Sequence, residues 1–409
     1  MTSSPRRPVA PNILVLGTAD WDQAIATNQH YMVRELLHAY PLTYSESFGL
    51  RKPEFHRRDI NRMAKRLLGR KKQASPSEMA GRPRPDGLSV ISPLVAPIHT
   101  GIFRAFNRYR VHRIFRQWAK SKEPRILWTY TPLTYGLEKY AQATVYHCVD
   151  LLGEFPGVSS SMVSVAEDRL AQNTNVAIGS SQVVEQHLVE RGFKRVVHWP
   201  NVADVETILE QRLPDSARIK NRVVFAGNLS KAKIDFTLFH DVISAGFELH
   251  LAGPIAEGGG DATLEIEELV GRGAVYHGLM PLEELSRLYW TCSVGLIPYQ
   301  LTPYTRGVNP LKTFEYLAAG MAVVSTAVPA VQEIKGHVSI VTGPRDCVAR
   351  IASLVESAES NNVETRIGIA KKNSWQERGK IARALVERTL DGLSDVILEK
   401  DVVHPDVHS

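Results

Sequence analysis

The chain has 409 residues, 44% of them hydrophobic, with 49 Lys+Arg against 43 Asp+Glu for a net charge of +6. This is ordinary globular composition at a length beyond one typical core, so it predicts two lobes and excludes fibrous and disordered classes. Cys148, Cys292 and Cys347 stand far apart without CxxC spacing and with one necessarily unpaired, so neither a disulfide framework nor a zinc site is encoded and a reducing cytoplasm fits best.

From the N-terminus onward, short β-branched runs alternate with helical patterns, which predicts an α/β fold of parallel sheets covered by helices. The apolar run before Thr18 is too short for a signal-peptide core, and 317–331 is interrupted by Gly320 and Pro329 well below the ~20 residues of a membrane span. The protein is therefore expected to be soluble or peripheral. Strands are expected at 13–16, 88–91, 125–129, 144–148, 176–178 and 196–199. A second series follows at 223–225, 248–252, 274–276, 294–297, 322–325 and 339–341. The division gives an N-terminal Rossmann-like domain 1–203, a C-terminal Rossmann-like domain 204–373, and a terminal segment 374–409 whose helix reaches back to the first. Ligands of such sheets bind beyond the carboxyl ends of the strands, in the cleft between the lobes.

The positive charge is concentrated. Residues 51–84 carry twelve Lys/Arg against three acids, and 104–125 carry eight against one, with Ile102, Phe103, Phe106, Tyr109, Ile114, Phe115 and Trp118 interleaved at near-helical spacing. The bland reading is a solvated helix with an apolar core face. The functional reading is an anionic membrane surface, where each Lys/Arg contributes about 1 kcal/mol; nucleic acid is disfavoured because no nucleic-acid-binding signature accompanies the charge.

The segment 305–326, TRGVNPLKTFEYLAAGMAVVST, frames a helix: Asn309 suits the N-cap, Pro310 the first helical position and Gly320 the left-handed stop. Leu311, Phe314 and Ala318 form its buried stripe. Lys312 adds charge beside the free N–H groups of the first turn, which makes a diphosphate cradle, and Glu315 could accept a ribose diol. Gly227, after the first strand of the second series, lets backbone amides approach a phosphate, and Lys231 or Lys233 could neutralise it. Asp150, two residues beyond the 144–148 strand, is placed to be a general base, with Glu154 in reserve. Asp20-Trp21-Asp22 matches a DxD metal pattern only superficially. His30, His147 and Trp199 read as packing residues before ligands.

These motifs resemble the GT-B glycosyltransferases of the family 4 type. The resemblance runs through NPLKTFEYLAAGMAVVST, VAIGSSQVVEQHL, VVHWPNVAD, VVFAGNLSKAKID, ELHLAGPI and VGLIPY, and covers roughly residues 140 to 345. VYHCVDLLGEFPG further resembles bacterial teichuronic-acid and xanthan glucuronosyltransferase-like enzymes. It implies two Rossmann-like domains facing a cleft and a nucleotide-sugar donor, UDP-linked, gripped by Lys312 and one basic residue of the 231–233 loop, with Glu315 on the ribose. It also implies a lipid-linked or glycan acceptor, Asp150 as base and no required cofactor or metal, while the concentrated basic charge is what suggests a peripheral place on the inner face of the membrane. The family pattern usually has a further Glu eight positions before Glu315, used on the donor sugar. This chain has Gly307 there. A sugar-nucleotide 2-epimerase and a non-catalytic membrane-associated binding protein share the architecture and are the competing functions; dehydrogenase and Walker-type chemistry lack their motifs.

Overall fold

The computed structural model describes residues 10–23, 25–50, 82–155, 157–255, 260–334, 336–356 and 362–390. Of the basic segment 51–84, only the last three residues lie among them. In chain order the strands are β1 (Asn12–Leu16), β2 (Leu42–Ser45), β3 (Leu88–Ile91), β4 (Arg125–Thr129), β5 (Ala143–Cys148), β6 (Val176–Gly179) and β7 (Val196–His198). The second set is β8 (Ile219–Ala226), β9 (Glu248–Ala252), β10 (Val275–Tyr276), β11 (Cys292–Ile297), β12 (Ala322–Thr326) and β13 (Ser339–Val341).

They form two sheets, ordered β3-β2-β1-β4-β5-β6-β7 and β10-β9-β8-β11-β12-β13. Neighbouring strands pair in parallel, as Ile13 with Leu42 and Val294 with Val223 illustrate. Both orders are doubly wound, reversing between β1 and β4 in the first lobe and between β8 and β11 in the second. The chain therefore has the expected α/β architecture, and each lobe has one topological switch point where a ligand crevice opens.

The central strands β1, β4, β5, β6, β11 and β12 are buried on both faces, which is why they read as nearly continuous apolar runs. β5 is buried along its whole length. β2 is the strand that the sequence pattern missed. Its four residues, LTYS, carry three hydroxyls and follow Pro41, and it becomes a strand because β1 and β3 flank it in register. Each buried aliphatic or aromatic side chain contributes about 1.5–3 kcal/mol, so the two cores outweigh the weak local propensities of such segments.

The second core includes Val205 and Ile208 from the helix Val205–Glu210. The Trp290 indole N–H donates to the Ile208 carbonyl at 2.8 Å, which fastens that helix to the second lobe. The terminal helix Trp375–Leu390 packs back instead: Trp375, Ala382, Leu385 and Val386 join the first-lobe core with Met32, Val33 and Leu36 of the helix Asn28–Leu37. Ala203 pairs with Ser374 where the chain recrosses between lobes.

The helix Gly101–Ile114 departs from an ordinary amphipathic pattern. Only Asn107 and Val111 are buried on it. Ile102 is 81% exposed, Tyr109 62%, Phe106 52% and Phe103 42%, with Arg104, Arg108 and Arg113 exposed among them. Ile102, Phe103, Phe106 and Tyr109 face outward beside the arginines, while Val111 and Ile114 turn to the core. Among the described residues no helix is long and apolar enough to cross a membrane.

Candidate active site

The second-lobe switch point is built from the ends of β8 and β11. After β8 the chain turns at Gly227, whose φ of +148° disfavours any side chain. A Cβ there would also lie 2.6 Å from the Lys312 Cε and Nζ, so the lysine side chain runs across the glycine. After β11 comes Tyr299, fully buried, with its backbone bridged to Ile234 of the β8 loop. The Gln300 N–H donates to the Lys233 carbonyl at 2.9 Å, so the loop that carries Lys233 is sewn to the segment that carries Tyr299.

Two lysines converge on that tyrosine. Lys312 Nζ donates to the Tyr299 hydroxyl at 3.3 Å. Lys233 Nζ lies 4.6 Å from the Tyr299 ring centroid and 5.9 Å from that of Tyr304. Burial pushes the phenol up, but the two ammonium groups outweigh it and hold Tyr299 below the ordinary tyrosine value. Lys231, by contrast, is turned away and pairs with Glu265 at 2.5 Å. Of the two loop lysines that the sequence left open, Lys233 is the one brought to Lys312.

The helix that carries Lys312 is Lys312–Ala318, shorter at its start than expected. Asn309 does not cap it. The cap position is Leu311, with helical angles and no side-chain cap bond, and Pro310 enters a tight turn in which its carbonyl accepts from the Thr313 N–H at 3.1 Å. The Asn309 amide instead donates to the Ser180 carbonyl of the first lobe at 2.7 Å, while its own carbonyl accepts from Asn201 at 2.6 Å. Asn28 donates in turn to Asn201 at 2.9 Å. Capping preference is a local rule, and here tertiary hydrogen bonds across the lobes override it. Leu311 likewise packs against the first-lobe core. The helix ends as expected at Gly320, with φ +68°.

Glu315, half-buried one turn along from Lys312, accepts from the Tyr289 hydroxyl at 3.1 Å. Burial pushes its carboxyl up, opposed by Lys312. Across the cleft, Arg34 pairs with Asp204 at 2.6 Å, and the charges of Glu315 and Asp204 are felt by Tyr31 of the first lobe. Asp150 stands in the loop after β5. Burial pushes its carboxyl up to about 6, and Lys233, from the opposite lobe, is the cation that counters this. Glu154 is exposed.

The remaining candidates are held structurally. His30 lies at the start of its helix, where Nδ1 accepts from the Thr27 N–H at 3.1 Å and burial lowers its pKa to about 4. Asp22 pairs with Arg84 at 3.4 Å. His147 stacks on Tyr130 at 4.8 Å, and Trp199 lies under Arg378 at 5.2 Å. Tyr299 and Tyr289 were not legible as site residues. The rule that ligands sit past the strand ends points to Tyr299, two residues beyond β11; nothing local points to Tyr289.

Residues 220–360, which hold Gly227, Lys233, Tyr299, Lys312 and Glu315, match the family of glycosyl transferases group 1. TuaH of Bacillus subtilis (strain 168), named for a glycosyltransferase role in teichuronic acid biosynthesis, is 26% identical over 270 residues, 60% of this chain and 66% of TuaH. The fold is shared with Anabaena Alr3699/HepE, solved with UDP and glucose, at TM-score 0.61 and 14% identity over 91% of this chain and 99% of that one. The chain has the GT-B fold, and its residues 220–360 match the glycosyl transferases group 1. Sucrose-phosphate synthase of Thermosynechococcus elongatus has the same two-lobed GT-B fold, at TM-score 0.63 and 17% identity over 94% of this chain and 100% of that one. Within this GT-B chain the group 1 match covers the second lobe, where the two lysines meet.

Proposed function

We propose that this glycosyltransferase moves a sugar from a UDP-sugar to a hydroxyl of a lipid-linked or polysaccharide-precursor acceptor in cell-surface glycan synthesis. The observation that carries the reading is the convergence of Lys233 and Lys312 on Tyr299 at the donor-lobe switch point, opposite Asp150. HepE was solved with UDP and glucose and TuaH is named for teichuronic acid biosynthesis, which supports a UDP-linked donor and a glycan acceptor.

In this reading the lobes divide as 1–203, 204–373 and 374–409. Asn309, Pro310 and Leu311 lead the donor into the turn where Lys312 and Lys233 hold the diphosphate over Gly227, and Glu315 accepts from the ribose hydroxyls. The acceptor hydroxyl gives its proton to Asp150 as its oxygen bonds to the anomeric carbon. The bond from that carbon to the diphosphate oxygen breaks, and UDP leaves with the electron pair, its charge met by the two lysines. This chemistry needs no cofactor beyond the donor.

The test is incubation of the protein with radiolabelled UDP- and GDP-sugars and a membrane extract. Label passing from a UDP-sugar into lipid or polymer is expected. No labelled product with any donor would overturn the reading, and epimerised sugar with free UDP in the absence of acceptor would assign the chain to the 2-epimerases.

The acceptor reaches the site at a membrane. We place the protein in the cytoplasm, peripheral on the inner membrane face, with the outward Ile102, Phe103, Phe106 and Tyr109 entering the interface and the arginines of 104–125 meeting anionic headgroups. The segment 51–84 belongs to the same reading through its charge alone. The protein should sediment with anionic vesicles, and the triple substitution Phe103→Ser, Phe106→Ser and Tyr109→Ser should release it. Equal sedimentation with neutral vesicles would count against the electrostatic part.

A further inference from the structure

The loop that carries Asp150 is fixed from two sides. On its own lobe the Val149 carbonyl accepts from the Ser180 hydroxyl at 2.6 Å, and the Asp150 carbonyl accepts from the Cys148 thiol at 3.3 Å. A short 3-10 turn, Leu152–Glu154, follows, with Leu152 buried. From the other lobe comes the segment 303–307. The Phe155 ring meets Tyr304 at 4.7 Å between centroids, and the Ser181 hydroxyl donates to the Gly307 carbonyl at 3.1 Å.

Between these contacts lies the Leu151 side chain, directly against Gly307. A Cβ at position 307 would come within 2.9 Å of Leu151 Cγ and 3.1 Å of Cδ1. Gly307 has φ −83° and ψ −13°, angles that every residue adopts freely, so the backbone does not ask for glycine there. The space does. The missing donor-lobe carboxylate at this position and the presence of a first-lobe leucine are thus one feature: an acid at 307 could enter only by displacing Leu151.

We propose that Leu151 is a positioning residue, seated on Gly307, and that this cross-lobe seat sets the depth at which Asp150 enters the cleft. The inference rests on the transferase reading above and adds to it a reason for the glycine. The α-carbon of Gly307 lies under Leu151, and the leucine, adjacent in sequence to Asp150, registers the carboxylate against the donor. A side chain at 307 holds the loop off, while Lys312 and Lys233 keep their own anchor on Tyr299. A split between turnover and donor affinity follows.

The test is a four-member set of the full-length protein: wild type, Gly307→Ala, Leu151→Ala and the double variant, each measured for kcat with a UDP-sugar and for UDP affinity by calorimetry. Gly307→Ala should lose about tenfold or more in kcat with UDP affinity within about twofold of wild type. Leu151→Ala should lose less than Gly307→Ala, because the loop keeps its Ser180 and Phe155 contacts, and the double variant should recover to that level, because the smaller side chain frees the space that the new methyl takes. Wild-type turnover in Gly307→Ala, or a double variant no better than Gly307→Ala, would overturn the seat. If Gly307→Ala proves unfolded by thermal melting, a double variant that folds but turns over less than Leu151→Ala overturns it equally. Failure of the wild type itself to bind UDP would strike the transferase reading, which keeps the two outcomes apart.

Discussion

Asp150→Asn is expected to lower kcat by about 10²- to 10⁴-fold, the range of a lost general base, and to leave UDP affinity unchanged. The amide keeps the shape and the buried position but cannot take the acceptor proton. Wild type should show an acid limb in kcat/KM near the Asp150 value of about 6, with the rate falling as pH drops through it, because the base works only when ionised. The variant should lose that limb. Stability should move the opposite way. The folded-state value lies above the roughly 3.9 of an unfolded aspartate, so between about pH 4 and 6 the folded chain binds more protons and this group's contribution falls as pH rises. Above pH 6 the buried charge weakens the fold, and Asp150→Asn should melt higher than wild type. Normal turnover in the variant would remove Asp150 as base.

Lys233→Ala and Lys312→Ala are each expected to weaken UDP binding by about 10- to 100-fold, from the 1.5–3 kcal/mol typical of a hydrogen bond to a charged group. The geometry explains why neither should unfold the protein. In the free site two ammonium groups share one phenol, Lys312 donating to the Tyr299 hydroxyl and Lys233 over its ring. That arrangement brings like charges together around a single neutral acceptor. A diphosphate supplies negative charge in direct contact with both ammonium groups, which neither Asp150 nor Glu315 does, so the lysines are worth more to the bound state than to the empty one. Glu315→Gln should weaken binding separately, through the ribose, while its partner Tyr289 holds the position.

Much of this was legible along the chain because the lobes are built from parallel strands buried on both faces. Segments such as 13–16 and 294–297 announce themselves as apolar β-branched runs, and all that the sheets add is their order. Leu42–Ser45 was silent since its strand character comes from neighbours on both sides rather than from its own residues. Lys312 and Glu315 could be read because a helix places them at fixed offsets on one face. Lys231 and Lys233 could not be told apart, because only the pairing of Ile234 with Tyr299, some sixty-five residues away, turns one lysine inward and leaves the other to Glu265. Asn309 was misread for the same kind of reason: a residue with excellent capping chemistry was recruited by Ser180 and Asn201 to hold the lobes together. The meaning of Gly307 lay with Leu151, more than a hundred and fifty residues earlier, and no local pattern joins the two.

Calorimetric titration with UDP tests whether the diphosphate of a nucleotide sugar sits between Lys233 and Lys312. Wild type, Lys231→Ala and the Lys233→Ala/Lys312→Ala double variant are measured side by side. Lys231→Ala is expected to bind like wild type, and the double variant to lose about a thousandfold or more of affinity while still melting cooperatively. A folded double variant that binds UDP as wild type does, or a loss confined to Lys231→Ala, would contradict it.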